Sequence, residues 1–236
     1  MSDRLQSLLG RAAAGKQNSG GALPGPKNGN RTGAAAPPGP AGKGASLFNR
    51  LADLYARMED AYNNAASRAG LSCADCEQNC CTSFFQHHTH IEWAYLWRGL
   101  NELPQARRDA VRERAACYVA DARAALAAGA LPSTMCPLND EGLCTLYAHR
   151  LMICRMHGTR NSFTMPGGGV RIFPGCHRFV ALQGDAGDEA PALDRTPFYK
   201  ELAALEMEFC RRASGPLSKV DMTLAEMIVL GPPRFR

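Results

Sequence analysis

The sequence CADCEQNCC, from Cys73 to Cys81, places four cysteines within nine residues. A Cys-x2-Cys spacing lets one tight turn present two sulfurs to a metal, and soft thiolates select zinc or iron–sulfur clusters. The adjacent side chains of Cys80 and Cys81 point in different directions, so the pair rarely serves one mononuclear ion. The stretch therefore predicts a metal site and favours a polynuclear cluster or two neighbouring sites.

Four more cysteines follow at wider spacing and complete two groups of four. The eight members are Cys73, Cys76, Cys80, Cys81, Cys136, Cys144, Cys154 and Cys176. The second group lacks the Cys-x2-Cys knuckle of many zinc sites, whereas a four-iron, four-sulfur cluster needs four thiolates and accepts distant ones. We therefore expect eight thiolate ligands and an iron–sulfur cluster as the cofactor, with zinc as the alternative.

Basic side chains flank Cys154 and are the second element of the predicted site. Arg150 and Arg155 would place positive charge beside the thiolates, which stabilises anionic sulfur and tunes a bound cluster from outside its ligand shell. We therefore predict that these two arginines contribute to binding of the cofactor.

The remaining two cysteines and the histidines are weaker candidates for metal ligands than the eight grouped cysteines. Cys117 and Cys210 lie inside predicted helices, which is typical of packed thiols rather than ligands. His157 and His177 each lie within three residues of a grouped cysteine and are candidates for additional ligands. His90 falls in the first turn of a predicted helix, which disfavours a histidine site there.

The redox state of the cellular compartment affects whether closely spaced cysteines bind metal or form disulfides. The N-terminal sequence MSDRLQSLLG has no basic region leading into an apolar stretch, so we expect no signal peptide. The sequence contains no run of about 18 apolar residues, so we expect no membrane span. A reducing cytoplasm is the expectation, and cysteine-rich motifs there bind metal or carry redox chemistry more often than they form disulfides.

Charge and composition divide the chain at about residue 46. Residues 1–46 carry six basic side chains and one acid and are rich in Gly, Pro and Ala, whereas the remainder carries 21 basic and 21 acidic side chains. The first part predicts a disordered basic tail. The balanced charge of residues 47–236 makes nucleic-acid binding unlikely and leaves an unknown protein as the expected partner.

Periodicity and caps predict a mainly α fold with short β-hairpins or irregular loops, in one cysteine-cluster domain over residues 47–236. Helices are predicted at 47–68, 90–100, 104–128, 197–213 and 222–229. Two capping boxes, Thr89 to Glu92 and Thr223 to Glu226, would open the second and the last of these. TSFFQHH after Cys81 predicts a short strand, and FTMPGGGVRIFPGCHRF a hairpin or irregular loop.

The stretch CPLNDEGLCTLYAHRLMICR, residues 136–155, resembles the second half of the YkgJ-type cysteine-cluster family, also called the CxxCxxCC domain. The matching residues, those of the first half included, are Cys73, Cys76, Cys80, Cys81, Thr89, Glu92, Cys136, Pro137, Leu138, Gly142, Cys144, Leu146, Tyr147, Arg150, Cys154 and Arg155. The likeness covers about residues 70–180. It departs from the family in the three residues between Cys76 and Cys80, in Leu151 where proline is usual, and in His157-Gly158.

The resemblance implies a metal-nucleated domain that chelates zinc or iron, with a structural or electron-transfer role. A related domain occurs in flagellin lysine methylases, so a methylase-like enzyme is one alternative. A thiol redox or metal sensor is another, because unmetallated thiolates beside Arg and His are reactive. The sequence contains no Gly-x-Gly-x-x-Gly fingerprint and no P-loop, and whether the protein is an enzyme stays open.

Overall fold

The computed structural model describes residues 46–73, residue 76 and residues 80–184, 192–213 and 217–234. In these residues the helices are α1 (Leu47–Arg68), α2 (His90–Glu102), α3 (Gln105–Ala127), α4 (Met152–Met156), α5 (His177–Gln183), α6 (Thr196–Cys210) and α7 (Leu224–Leu230). The strands are β1 (Asn139–Asp140), β2 (Leu143–Cys144), β3 (Asn161–Thr164), β4 (Val170–Phe173) and β5 (Leu193–Asp194). The prediction of a mainly helical fold with short hairpins is confirmed. The predicted tail lies outside the described residues, apart from Ser46.

Helix α1 has the bounds that its apolar spacing predicts. Ser46 caps it by accepting a hydrogen bond from the Asn49 N–H at 3.2 Å. Its buried face carries Leu51, Leu54 and Met58, all with no exposed surface. The helix gives way to Gly70, whose φ of +66° is in the left-handed region that glycine adopts without strain. The turn delivers the chain to the first cysteine group.

Helix α2 lies between two apolar clusters and takes part in both. Its Leu96 and Leu100 belong to the cluster formed with α3 and α7. Its Ile91 and Tyr95 belong to the cluster formed with α1 and α6. A helix that is buried on two faces needs apolar residues around most of its circumference, as α2 has. None of the helices in the described parts of the chain is long and apolar enough to cross a membrane.

The strands form two small sheets. The β3–β4 hairpin pairs Asn161 with Phe173 and Thr164 with Val170, which confirms the predicted hairpin, and β5 pairs in parallel with β3. The β1–β2 hairpin turns through Glu141 and Gly142, at φ of +50° and +85°. Two positive φ values in a two-residue connection are typical of a type I′ turn, which matches the twist of the strands.

The prediction of a short strand over TSFFQHH is wrong. Cys80–Thr82 is a turn of 3-10 helix, and in the segment that follows His87 alone makes a β-bridge, to Met222. The two residues exchange backbone hydrogen bonds of 2.8 and 3.2 Å. A β-branched and aromatic composition favours an extended chain, but a strand also needs a neighbour along its length, and this segment meets one at a single residue.

The two predicted capping boxes have different outcomes. Thr223 and Glu226 form the predicted box at the start of α7. The Thr89 side chain does not cap α2; its hydroxyl instead donates to Glu92 Oε2 at 2.7 Å. The cap comes from α6, where Glu206 accepts hydrogen bonds of 2.9 Å from the first two backbone N–H groups of α2. A carboxylate at a helix N-terminus also offsets the positive end of the helix dipole.

Candidate metal centre

The two cysteine groups meet through their backbones. The N–H of Cys136 donates a 2.9 Å hydrogen bond to the carbonyl oxygen of Cys81. The first group lies between α1 and the 3-10 turn Cys80–Thr82. The second group comes from three elements, since Cys144 ends β2, Cys154 lies in α4 and Cys176 precedes α5. Segments that are distant in sequence therefore place their cysteines side by side.

Thiols of the two groups lie near enough to one another to affect each other's pKa. The pKa of Cys80 is raised by its hydrogen bond to Cys81, by burial, and by the nearby thiols of Cys73 and Cys154. The pKa of Cys154 is raised well above its ordinary value by burial and by Cys136, Cys144 and Cys81. Cys80, Cys81 and Cys154 thus lie near thiols of both groups.

Tyr62 lies beside three of the cysteines, Cys73, Cys80 and Cys176. Its phenol hydrogen-bonds the Cys73 thiol, and its pKa is raised by burial and by the thiols of Cys73, Cys176 and Cys80. The backbone of Cys176 is held by Gly158, whose carbonyl accepts its N–H at 2.9 Å. Cys176 also caps α5, where its sulfur accepts the Phe179 N–H at 3.4 Å. Cys76, the remaining cysteine of the first group, is half-buried.

Backbone N–H groups point at the sulfurs of the second group. The Cys136 sulfur accepts from the N–H groups of Leu138 and Asn139, but burial outweighs them and raises the pKa of Cys136 to about 12. The Cys144 sulfur accepts from the Leu146 N–H, and burial raises the pKa of Cys144 as well. Donors of this kind stabilise thiolates. A cation placed among the sulfurs would add to that stabilisation and offset the cost of burying their charge.

Beside Cys81, Asn139 Nδ2 and Arg150 Nε are buried, and among the described residues neither makes a well-formed hydrogen bond. The Asn139 amide is in weaker contact with the Cys81 sulfur. The hydrogen bond from the Cys80 thiol, the Asn139 amide and the Arg150 charge together lower the pKa of Cys81 to about 6, although burial opposes them. Buried donors without well-formed bonds are rare and costly. Around Cys81 the surroundings are rich in donors and positive charge, which fits an anionic, metal-bound sulfur.

The two predicted arginines occupy different positions. Arg150 stacks over the Tyr147 ring at 3.7 Å and lowers the pKa values of Cys81, Cys144 and Cys154. It is therefore the basic side chain that faces the thiols.

Arg155 is mainly a structural residue. It is 4% exposed, and its guanidinium donates to the carbonyl oxygens of Arg150 and Ala148 at 2.7 and 2.8 Å. It also lies over the Tyr55 ring at 4.3 Å. Its effect on the thiols is limited to a minor lowering of the pKa of Cys144.

The spacing of the thiols bears on which metal group they suit. Among the described residues, no three of the eight sulfurs all lie within 4.8 Å of one another. Four thiolates on one zinc ion are separated by about 3.8 Å, given Zn–S bonds of about 2.3 Å in a tetrahedron. A polynuclear cluster places several metal atoms and sulfides between its ligands and spaces them more widely.

Four side chains show how much of the candidate site the sequence predicts. Cys117 is exposed on α3, so the prediction that it is packed is wrong. His157 lies edge-on to Phe85, with ring centroids 5.1 Å apart, and burial lowers its pKa. Tyr62 and Asn139 were missed, because nothing in a sequence distinguishes a tyrosine or asparagine beside sulfur from any other.

No family model, no curated protein and no solved structure matches this chain. The class of site therefore rests on the residues and geometry described above.

Proposed function

We propose that this protein binds a metal group through two converging cysteine groups, with an iron–sulfur cluster favoured over zinc. The thiolate ligands would be Cys73, Cys76, Cys80, Cys81, Cys136, Cys144, Cys154 and Cys176. The observation that carries the proposal is the 2.9 Å hydrogen bond from the Cys136 N–H to the Cys81 carbonyl, which joins the two groups. The resemblance to the YkgJ-type cysteine-cluster family supports the same conclusion.

Three features support iron–sulfur over zinc. The adjacent cysteines Cys80 and Cys81 share a hydrogen bond, and a single ion rarely takes both. Among the described residues, no three of the eight sulfurs lie as close together as the thiolates of one zinc ion would. Arg150 and the Asn139 amide supply charge and donors of the kind that set the potential of a cluster.

The chain's own residues would hold the group and control access to it. A bound iron–sulfur cluster supplies one-electron chemistry, and zinc would supply a structural cross-link. Cys136, Cys144 and Cys154 are half-buried, whereas Cys73 and Cys80 are exposed. One edge of the site therefore faces solvent, where a protein partner could exchange electrons with it. The proposal places the protein in a reducing compartment such as the cytoplasm.

The test is to purify the protein without oxygen and to measure its absorption spectrum and its iron, sulfide and zinc content. We expect brown protein with iron and sulfide in matching amounts. Cys81→Ser should lose most of the metal, whereas the matched control Cys117→Ser, which changes an exposed cysteine outside the set, should keep it. Colourless wild-type protein that carries zinc would overturn the cluster, and wild-type protein without metal would overturn the proposal.

The exposure of Cys73 and Cys80 favours one second candidate, a thiol sensor. Exposed thiolates are the ones that oxidants reach first. A sensor would release its metal on mild peroxide treatment and take it up again after reduction. A permanent metal site would keep its metal, or lose it without recovery, under the same treatment.

A further inference from the structure

Three metal-ligating side chains outside the eight-cysteine set meet at the start of α2. The distances are 2.8 Å from His90 Nδ1 to Glu206 Oε1, 3.2 Å from Cys210 Sγ to the same oxygen, and 3.7 Å from Cys210 Sγ to His90 Nδ1. Among the described residues, this is the one group of three whose ligand atoms all lie within 4.8 Å of one another.

The arrangement is not that of a cysteine nucleophile with its base. In a catalytic triad the base uses one ring nitrogen toward the nucleophile and the other toward the carboxylate. Here His90 turns the same nitrogen, Nδ1, toward both Cys210 and Glu206. Burial and the hydrogen bond with the Glu206 carboxylate also raise the pKa of Cys210, which disfavours a reactive thiolate. Three donor atoms that converge on one point suit a cation instead.

We propose that His90, Glu206 and Cys210 form a second, mononuclear site for a zinc-class divalent cation. Zinc bound by one nitrogen, one oxygen and one sulfur would separate these atoms by about 3.3–3.6 Å, given metal–ligand bonds of about 2.0–2.3 Å. The three observed distances depart from that range by about half an ångström or less. Three protein ligands leave a fourth position for water, as in many catalytic zinc sites.

The surrounding structure fixes two of the ligands in place. The Glu206 carboxylate is oriented by 2.9 Å hydrogen bonds from the backbone N–H groups of His90 and Ile91. The His90 ring lies almost parallel to the Trp93 ring, at an interplanar angle of 29°. Trp93 is anchored in turn by a 3.0 Å hydrogen bond from its indole to the Met227 carbonyl. Such preorganisation reduces the cost of assembling a site when the ion arrives.

Binding would replace two hydrogen bonds with metal bonds. The Cys210 thiol, which donates to Glu206, would lose its proton to solvent. In a neutral His90 ring, Nδ1 would give the proton that it shares with Glu206 to solvent while Nε2 takes one up, so the ring would release no proton in net. Glu206 Oε1 would exchange these two contacts for the cation and keep its backbone donors. Uptake of one divalent ion thus releases one proton. The site is enclosed but reachable, because the side chains of His90 and Glu206 are 11% and 18% exposed and Cys210 is half-buried.

The test is a zinc titration by calorimetry of full-length protein whose eight-cysteine set is already occupied. Wild-type protein should bind one more equivalent of zinc than Cys210→Ser, whose side chain keeps the size but not the thiolate. His90→Gln should weaken that additional binding by at least about tenfold, which corresponds to about 1.4 kcal/mol. Cys117→Ser is the matched control and should behave as wild type.

Cobalt gives a second readout that does not depend on stoichiometry. Added Co²⁺ should produce ligand-field bands of a four-coordinate site with one sulfur in wild type and in Cys117→Ser, and none in Cys210→Ser. Equal zinc uptake and equal cobalt spectra in wild type and Cys210→Ser would overturn the proposal and leave Cys210 as a hydrogen-bond donor to Glu206. Because the readouts compare proteins with the same cysteine set, their failure is separate from failure of the eight-thiolate site.

Discussion

The buried carboxylate of Glu92 accepts a 2.7 Å hydrogen bond from the backbone N–H of Met152, the first residue of α4. The same carboxylate accepts from the Tyr55 hydroxyl at 2.8 Å and from the Thr89 hydroxyl at 2.7 Å. One side chain of α2 therefore ties α1 to the start of the helix that carries Cys154. The placement of this thiol depends on a polar group in the core, and not on local sequence alone.

Replacing Glu92 with glutamine should destabilise the fold. An amide has one acceptor oxygen in place of two and brings an NH₂ group into a site where all three neighbours donate. Hydrogen bonds to a charged group contribute about 1.5–3 kcal/mol each, so we expect Glu92→Gln to lower the free energy of unfolding by about 2 kcal/mol. Urea unfolding followed by circular dichroism measures this. Glu102→Gln, at the exposed end of the same helix, is the control, and an equal effect of both changes would contradict the role of Glu92.

The backbone at Gly158 should tolerate no side chain. Its φ is +125°, and a Cβ there would lie 2.5 Å from the Tyr62 hydroxyl oxygen, which in turn holds Cys73. Gly168 also has a positive φ, of +88°, but a Cβ there would meet nothing within 4 Å. Gly168→Ala isolates the backbone cost, about 1 kcal/mol.

Gly158→Ala should cost at least twice as much free energy of unfolding as Gly168→Ala, and it should also loosen Cys73. Thermal unfolding of the two variants, together with their metal content, measures both effects. Similar midpoints for the two alanine variants would show that Tyr62 moves aside without consequence.

Local patterns predicted what local interactions decide. Apolar spacing over residues 47–68 predicts α1 correctly, because one buried face suffices to define an amphipathic helix. The Thr223–Glu226 box formed as predicted, since both of its partners lie within one turn. The β3–β4 hairpin followed from the glycine run between two apolar stretches.

The errors at the start of α2 have one physical cause, which is competition from distant partners. Glu92 does not form the predicted capping box, because its carboxylate accepts hydrogen bonds from the Tyr55 hydroxyl and the Met152 N–H. Glu206 took over that cap from another helix, and no spacing in the sequence relates it to His90. For the same reason no spacing in the sequence indicates that Tyr62 and Asn139 lie beside the grouped cysteines.

Removing the charge of Arg150 should weaken metal retention. Arg150 lowers the pKa values of Cys81, Cys144 and Cys154, so its loss raises them and lets protons compete better with the metal. Under the proposed function, Arg150→Gln should lower metal affinity by about 10-fold or more and move the pH of half-release upward. Metal release during an acid titration measures both. Arg171→Gln, on the exposed strand β4, should match wild type, and an unchanged release pH for Arg150→Gln would contradict the prediction.

Burial of His87 should make the fold sensitive to mild acid. The residue is 3% exposed, and burial together with the neighbouring His88 lowers the pKa of His87 to about 3, against about 6.5 in an unfolded chain. Because the unfolded chain binds the proton more tightly, the stability that the neutral ring contributes is complete above about pH 6.5. It is lost progressively as the pH falls from there toward 3.

Between pH 7 and pH 5 this loss amounts to about 2 kcal/mol. Urea unfolding at the two pH values measures it in wild type, and His87→Gln should reduce the difference by that amount whatever its absolute stability. Gln86→Ala, at the exposed position next to His87, leaves the imidazole in place and should keep the wild-type pH dependence. If His87→Gln keeps it too, the imidazole accepts a proton inside the folded protein and the bridge to Met222 opens without unfolding the rest.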